Sequence, residues 1–193
     1  MVSFLYTVYK KDTPVDCRLA STPHPHSTGK ELELDTFVQS LLDNKRNSPL
    51  SASELAVLAA AFRLTMFDVL HDRGTGHWGG ASSAAELTTA LYFNRMQVKP
   101  DDPNWDDRDR FILSKGHASM NLYTILANRG YFPVEDLPSF RKLGSHLQGH
   151  PSMKKTPGVD MSTGALGHGL SIGVGMALAA RLSGKKYWTY VLS

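Results

Sequence analysis

Two short segments of β-type sequence, set among helical patterns, constrain the fold of this chain most. RFIL at residues 110–113 and KYWTYVLS at residues 186–193 carry the β-branched and aromatic residues typical of strands. Helical periodicity precedes the first segment and leads directly into the second. This alternation predicts an α/β fold with a mostly parallel sheet flanked by helices on both faces. A ligand cleft is expected outside the carboxyl ends of the strands.

The first helical patterns lie on either side of a glycine-rich segment. Ser51 and Glu54 fit a capping box, and apolar residues recur after them at three- and four-residue steps. Ser83 and Glu86 repeat the capping signal before a second apolar pattern. The segment GTGHWGGASS, residues 74–83, is therefore predicted to connect two helices, and its glycines leave room for a ligand.

Three further helices are predicted downstream. One runs from about Ala118 to Arg129, where Gly130 ends it, and a shorter one follows Pro133. The third is LSIGVGMALAARLSG at residues 170–184, which is apolar and has small residues on several faces. That composition predicts a closely packed helix.

Composition places the chain among soluble globular proteins of one domain. Of its 193 residues 41% are apolar and 20% charged, which is enough for a full hydrophobic core. The net charge is only +3 without a run of basic residues, which argues against a nucleic-acid partner. No apolar run approaches the roughly 18 residues of a membrane span, and the N-terminus does not resemble a signal peptide, so no membrane association is expected. A single cysteine, Cys17, favours a reducing compartment, and the expected location is cytoplasmic.

Residues 1–50 are predicted to be a poorly ordered or atypical N-terminal extension, and residues 51–193 the folded part. Residues 10–30 are rich in Pro, Ser, Thr and Lys and lack helical or strand periodicity. His24 and His26 lie there, but two histidines fall short of the four protein ligands that structural zinc usually takes. They are interpreted as solvated side chains.

Histidines concentrate in the glycine-rich connections. Residues 143–169 show little periodicity, and a loop this long in a compact domain is usually functional or disordered, with function favoured here. Five of the eight histidines fall in such connections, and all but the third adjoin a glycine: His77, His117, His146, His150 and His168. Taken singly, each of these histidines is more readily interpreted as a hydrogen-bonded surface or core side chain than as part of a site. Their common setting favours a shared site, because a ligand can approach the backbone at glycine while an imidazole moves a proton.

Two patterns bear on the cofactor. STGALGHGLS, residues 162–171, is a glycine-rich turn that opens a helix, and such a turn can bind a diphosphate through its backbone N–H groups. Its spacing fits neither a P-loop nor the dinucleotide pattern GxGxxG, which disfavours an ordinary nucleotide fold. Ser114 and Lys115 leave a pyridoxal phosphate Schiff base open as an alternative, although nothing else supplies a pyridinium partner. Neither pattern decides the cofactor by itself.

Several motifs in order give the chain a family resemblance. They are GTGHWGGASSAAELTTALYF, RDRFILSKGHAS and GSHLQGHPSMKKTPGVDMSTGALGHGLSIGVGMALA. In this order they resemble the N-terminal, diphosphate-binding part of transketolase, especially the kind that is split over two chains. The resemblance runs from about residue 51 to the end. It implies that residues 51–193 form a partial domain of this family, with an incomplete thiamine-diphosphate-binding fold.

The resemblance implies thiamine diphosphate as cofactor and transfer of a two-carbon ketol unit between sugar phosphates. In the matching positions His77 would face the substrate, and His150 would contact the hydroxyl at the reacting end of the donor. His117 would act beside the cofactor diphosphate, with Gly164 and Leu166 also against the cofactor. These histidines are the expected catalytic residues. The family further implies a partner, the C-terminal, pyrimidine-binding subunit, which supplies the glutamate that activates the cofactor.

The sequence departs from the family pattern in three places. Trp78 stands where family members usually have proline, and His168 where they commonly have glutamine, so substrate preference or cofactor affinity is expected to differ. In the family a strand like YWTYVLS runs into a GDG motif that provides ligands for Mg²⁺, whereas this sequence stops at Ser193. The metal ligands are therefore expected to be missing and the isolated chain inactive. The alternative to an enzyme subunit is a truncated, non-catalytic relic or fragment.

Overall fold

The structure, a computed structural model, describes residues 29–44 and 49–193, with side chains for residues 35–43 and 49–193. The predictions for His24 and His26, and for residues 1–28 of the expected extension, lie outside the described residues. Six helices and two strands follow in the described part, in the order α1 Gly29–Asn44, α2 Ala52–Arg73, α3 Trp78–Ser82, α4 Ala85–Ala90, β1 Arg110–Leu113, α5 Ser119–Arg129, α6 His168–Leu182 and β2 Thr189–Leu192. Shorter helical turns occur at Leu91–Arg95, Gly116–Ala118 and Val134–Ser139.

Helix α1 lies within the predicted N-terminal extension and was not predicted from the sequence. Its residues Leu41 and Leu42 are buried, and they belong to the same hydrophobic core as Leu58 of α2. The end of this helix is therefore packed on the folded part of the chain, and burial of its two leucines stabilises that contact.

Helix α2 confirms the first capping prediction. The Ser51 hydroxyl accepts a hydrogen bond from the backbone of Glu54, and the Glu54 carboxylate accepts one from the Ser51 backbone. Gly74 ends the helix in the left-handed conformation, with φ 58°. The helix places one apolar face in the core through Leu58, Ala59, Phe62, Met66, Val69 and Leu70. The sequence predicted this helix because all of its signals are local.

The two strands form a parallel sheet that confirms the predicted fold class. Arg110 lies opposite Thr189 and Leu113 opposite Leu192. Phe111 packs edge-on against the Tyr92 ring, with the ring centroids 5.5 Å apart, on the face of the main core. The other face is covered by α6, where Gly173 packs so closely on Val191 that an added Cβ would collide with Cγ2 of that valine. Helical structure therefore flanks both faces of the sheet.

The connection at residues 74–83 corrects two expectations. It contains the short helix α3 rather than only a loop, and α4 has no side-chain cap at its N-terminus. The Glu86 carboxylate forms an ion pair with Arg63 of α2, which competes with the capping arrangement. Leu87, which belongs to the second apolar pattern, is 49% exposed.

Helix α6 is less closely packed than its composition predicted. Only Gly169, Gly173 and Ala180 are buried, because the described residues place the small sheet against one narrow stripe of the helix. The larger side chains point away from that stripe, and Leu170, Val174 and Leu178 are each more than half exposed. Among the described residues, no helix combines the length and apolar character needed to cross a membrane.

Candidate functional site

The candidate site lies where three chain segments meet beyond the carboxyl end of β1. His77 comes from the segment between α2 and α3, and His117 from the helical turn that follows β1. Their rings contact each other edge-on, with centroids 5.2 Å apart. His150 and Gly164 come from the long loop before α6, and a Cβ placed on Gly164 would lie 3.7 Å from Cδ2 of His150. The structure thus brings together residues that are far apart in sequence.

Gly116 joins the end of β1 to the loop before α6. A Cβ on this glycine would lie 2.9 Å from the carbonyl carbon, carbonyl oxygen and Oγ1 of Thr163. The Thr163 hydroxyl in turn donates a hydrogen bond to the carbonyl oxygen of Leu113, at 2.7 Å. No side chain larger than hydrogen fits here without displacing the threonine. Glycine therefore fixes where His117 stands relative to the loop.

Charge and burial around His117 favour its neutral form. Its pKa lies below its usual value of 6.5 because of desolvation first, and then because of the positive charges that His77, Lys115 and His150 can carry. A neutral imidazole has one N–H donor and one acceptor, so at neutral pH it can hold or transfer a proton. The Lys115 ammonium group donates to the Ser83 hydroxyl at 3.4 Å, which places a positive charge beside the same turn.

Helix α5 holds the segment that carries His150. The Ser119 hydroxyl donates to the carbonyl oxygen of Gly149 at 3.0 Å. The Tyr123 hydroxyl donates to the carbonyl oxygens of Gln148 and His150, at 2.8 and 3.2 Å. Burial raises the pKa of Tyr123, so its hydroxyl remains protonated and stays a donor.

These supporting residues were not identified from the sequence. Ser119 and Tyr123 lie four positions apart, on one face of α5, and residues 119–127 of that helix are all buried. Polar side chains at this spacing in an otherwise buried helix are a usable signal, because buried polar groups require partners. Thr163 gave no comparable signal.

The first turn of α6 opens beside the same cluster. Gly167 precedes the helix with φ 83°, and no side chain caps the first backbone N–H groups. A Cβ on Gly169 would lie 2.6 Å from Cβ of Ser114, so the start of the helix packs closely on the end of β1. Leu166 and His168 are exposed at this turn. The backbone N–H groups of His168 and Leu170 donate to the carbonyl oxygens of Ala165 and Gly167, at 3.4 and 3.2 Å. The positive end of the helix, which no side chain caps, suits an anionic group such as a diphosphate.

Two further features lie apart from this cluster. His146 pairs with Asp136, with Nε2 3.1 Å from Oδ2, and its ring packs edge-on against Phe132. It therefore belongs to the packing of the long loop rather than to the cluster of the other three histidines. Within residues 29–44 and 49–193, no group of three or more His, Cys, Asp or Glu side chains is arranged to hold a metal ion.

Fold and site together define a class of protein: a parallel α/β domain with a histidine- and glycine-rich cleft at the strand ends and an open helix N-terminus. The family model for the transketolase thiamine diphosphate binding domain matches residues 55–189. The chain belongs to the transketolase family. This family uses thiamine diphosphate together with a divalent metal ion.

Individual relatives agree with this assignment. The chain is 49% identical over 109 residues to the 6-deoxy-6-sulfo-D-fructose transketolase subunit SqwG of Clostridium sp. (strain MSTE9), covering 56% of this chain and 40% of that protein. It is 45% identical over 130 residues to an apulose-4-phosphate transketolase subunit of Phocaeicola vulgatus, covering 67% of this chain and 46% of that protein. The solved transketolase of Leishmania mexicana superposes with a TM-score of 0.66 at 34% identity, covering 75% of this chain and 23% of that one. The chain spans less than half the length of each of these relatives.

Proposed function

We propose that this chain is the diphosphate-binding subunit of a transketolase that moves a two-carbon ketol unit between sugar phosphates. The observation that carries the proposal is the convergence of His77, His117 and His150 beside the open first turn of α6. The two curated relatives described above are both named as transketolase subunits, which supports a separately encoded partner. The proposed partner is the C-terminal, pyrimidine-binding subunit.

The cofactor side of the proposal rests on residues around α6. Gly164 and Leu166 are exposed next to the uncapped first turn, where they would lie against the bound cofactor. The neutral ring of His117 would donate a hydrogen bond to the diphosphate, and Lys115 would add a nearby positive charge. When bound, thiamine diphosphate supplies a nucleophilic carbon and accepts the electrons released by cleavage of a carbon–carbon bond.

The substrate side of the proposal rests on His77 and His150. Both residues are exposed, so a sugar entering the cleft can reach their rings. Imidazole can exchange a proton with a hydroxyl or carbonyl oxygen near neutral pH, which the making and breaking of a ketol requires. Trp78 follows His77 directly, and its ring packs edge-on against Phe67 at 5.6 Å. We expect this tryptophan to influence which sugar phosphates are accepted.

Calorimetry tests the proposal. Thiamine diphosphate is titrated into the chain with and without Mg²⁺, both alone and mixed with a pyrimidine-binding subunit. We expect saturable binding in the mixture. The His117→Ala variant removes a hydrogen bond to a charged group, worth about 1.5–3 kcal/mol, and should bind about 10- to 100-fold more weakly.

The matched control is His71→Ala. His71 is exposed near the end of α2, where its ring stacks on Phe67 rather than joining the histidine cluster. Its removal should leave cofactor affinity unchanged. If the folded wild-type chain binds no thiamine diphosphate even with the partner, the proposed function is wrong and a non-catalytic role is favoured.

A further inference from the structure

Arg141 is the one non-glycine residue in the described part of the chain with a positive φ, at 57°. A branched or long side chain in this region of backbone space costs free energy, and such residues persist where their surroundings hold them in place. The contacts of Arg141 therefore indicate what maintains this conformation. They lead to the two segments that carry His77 and His150.

The first set of contacts reaches the segment before His77. The Arg141 guanidinium donates a hydrogen bond from Nη1 to the Thr75 hydroxyl at 2.5 Å. The preceding residue, Phe140, supports the same segment, because a Cβ on Gly76 would lie 3.3 Å from Cε1 of its ring. Residues 140 and 141 thus contact both residues that immediately precede His77.

The second set of contacts reaches the segment before His150. A Cβ on Gly149 would lie 2.6 Å from Nε and 2.7 Å from Nη2 of Arg141, so the guanidinium lies directly against this glycine. The Arg141 backbone N–H donates to the carbonyl oxygen of Leu147 at 2.8 Å. The Gly149 carbonyl oxygen accepts from Ser119 of α5, so α5 and Arg141 both fix the position of this residue.

We propose that Arg141 is a positioning residue that sets the separation of His77 and His150. Its rigid, planar guanidinium donates from Nη1 to Thr75 while Nε and Nη2 lie against Gly149, an arrangement that a flexible lysine would not reproduce. The proposal rests on the proposed function for its consequence, because His77 and His150 are there assigned to the substrate. A misplacement of either ring by about 1 Å can reduce a reaction rate by as much as about 100-fold.

The first test does not depend on the reaction. Histidine-ring resonances are recorded by NMR for the wild-type chain, Arg141→Gly and Lys142→Ala. Glycine tolerates the positive φ, so Arg141→Gly removes the guanidinium without straining the turn, and Lys142 is its exposed neighbour. We expect the His77 and His150 signals to shift in Arg141→Gly alone. Unchanged signals for both histidines in a folded Arg141→Gly chain would overturn the proposal.

A double-mutant cycle covers the case in which the glycine variant folds poorly. Gly149→Ala should lower the urea midpoint in the wild-type background, because the new methyl group displaces the guanidinium and its hydrogen bond to Thr75. The same substitution should cost less in the Arg141→Gly background, where the guanidinium is absent. Additive effects of the two substitutions would refute the contact on which the proposal depends.

A kinetic measurement on the assembled complex distinguishes a positioning role of Arg141 from a general contribution to the stability of the fold. In the complex with thiamine diphosphate, Mg²⁺ and the pyrimidine-binding subunit, Arg141→Gly should lower kcat/KM for fructose 6-phosphate by about tenfold or more. Affinity for thiamine diphosphate should stay within about twofold, because the first turn of α6 is untouched. A loss of thiamine diphosphate affinity as large as the loss of kcat/KM would contradict a positioning role. Failure of the wild-type chain to bind the cofactor would refute the proposed function alone, and the NMR and double-mutant results would still decide the role of Arg141.

Discussion

Replacement of Gly116 by alanine tests whether the end of β1 is locked to the loop before α6. The added Cβ would lie 2.9 Å from three atoms of Thr163, closer than carbon normally approaches any of them. Overpacking of this kind costs about 1–3 kcal/mol. Displacement of Thr163 also breaks its 2.7 Å hydrogen bond to Leu113, which contributes about 0.5–1.5 kcal/mol. The expected loss is about 3 kcal/mol in the free energy of unfolding.

Urea unfolding followed by circular dichroism measures this loss, since ΔG varies linearly with denaturant concentration. For a chain of this size about 3 kcal/mol corresponds to a fall in Tm of about 6–12 °C. The matched control is Gly175→Ala in the interior of α6, where the added Cβ meets nothing within 4 Å beyond its chain neighbours and the nearby backbone of the helix itself. That change should stabilise the chain by about 0.5–1 kcal/mol. If Gly116→Ala unfolds within about 0.5 kcal/mol of wild type, the close approach to Thr163 does not constrain the site.

Three further predictions concern the same cleft. Gly80→Ala places a Cβ 3.0 Å from Nε2 of His117 and should weaken thiamine diphosphate binding in calorimetry. The control is Gly79→Ala, whose added Cβ lies in open space and should leave the affinity unchanged. Equal affinities for the two variants would count against His117 as a ligand. Because the pKa of His117 in the fold lies below 6.5, the unfolded chain binds more protons as pH falls, so stability should decline below about pH 6.5. His117→Gln should flatten that decline in urea midpoints measured between about pH 5 and 7, and an unchanged profile would exclude this histidine as its source. Tyr123→Phe removes the hydroxyl that holds the segment before His150 and should cost about 0.5–1.5 kcal/mol in urea unfolding, so wild-type stability would contradict the role assigned to it.

The sequence predicted the structure best where its signals are local. The capping box of Ser51 and Glu54 and the left-handed Gly74 mark both ends of α2, and Gly130 ends α5 as expected. Each of these signals depends on residues within one helical turn, so no knowledge of the tertiary structure is required. The two strands were predicted for the same reason, from their β-branched and aromatic residues.

Prediction failed where a distant residue decides the outcome. Glu86 leaves the expected capping position because Arg63, on another helix, pairs with its carboxylate. How much of α6 is buried depends on the number of strands that pack against it, and the sequence of the helix itself does not determine that number. Within the site, the histidines were found by their glycine neighbours, whereas Arg141 has no such marker. Its importance comes from contacts with Thr75 and Gly149 that only the fold creates.

An NMR titration of the histidine-labelled chain with thiamine diphosphate and Mg²⁺, in the presence of the pyrimidine-binding subunit, tests directly whether this cleft binds the cofactor. We expect the His117 ring signal to shift in a saturable way, while the signal of His71 stays in place. Binding that leaves the His117 signal unmoved, or no binding by the folded chain, would contradict the claim that this cleft holds the cofactor diphosphate.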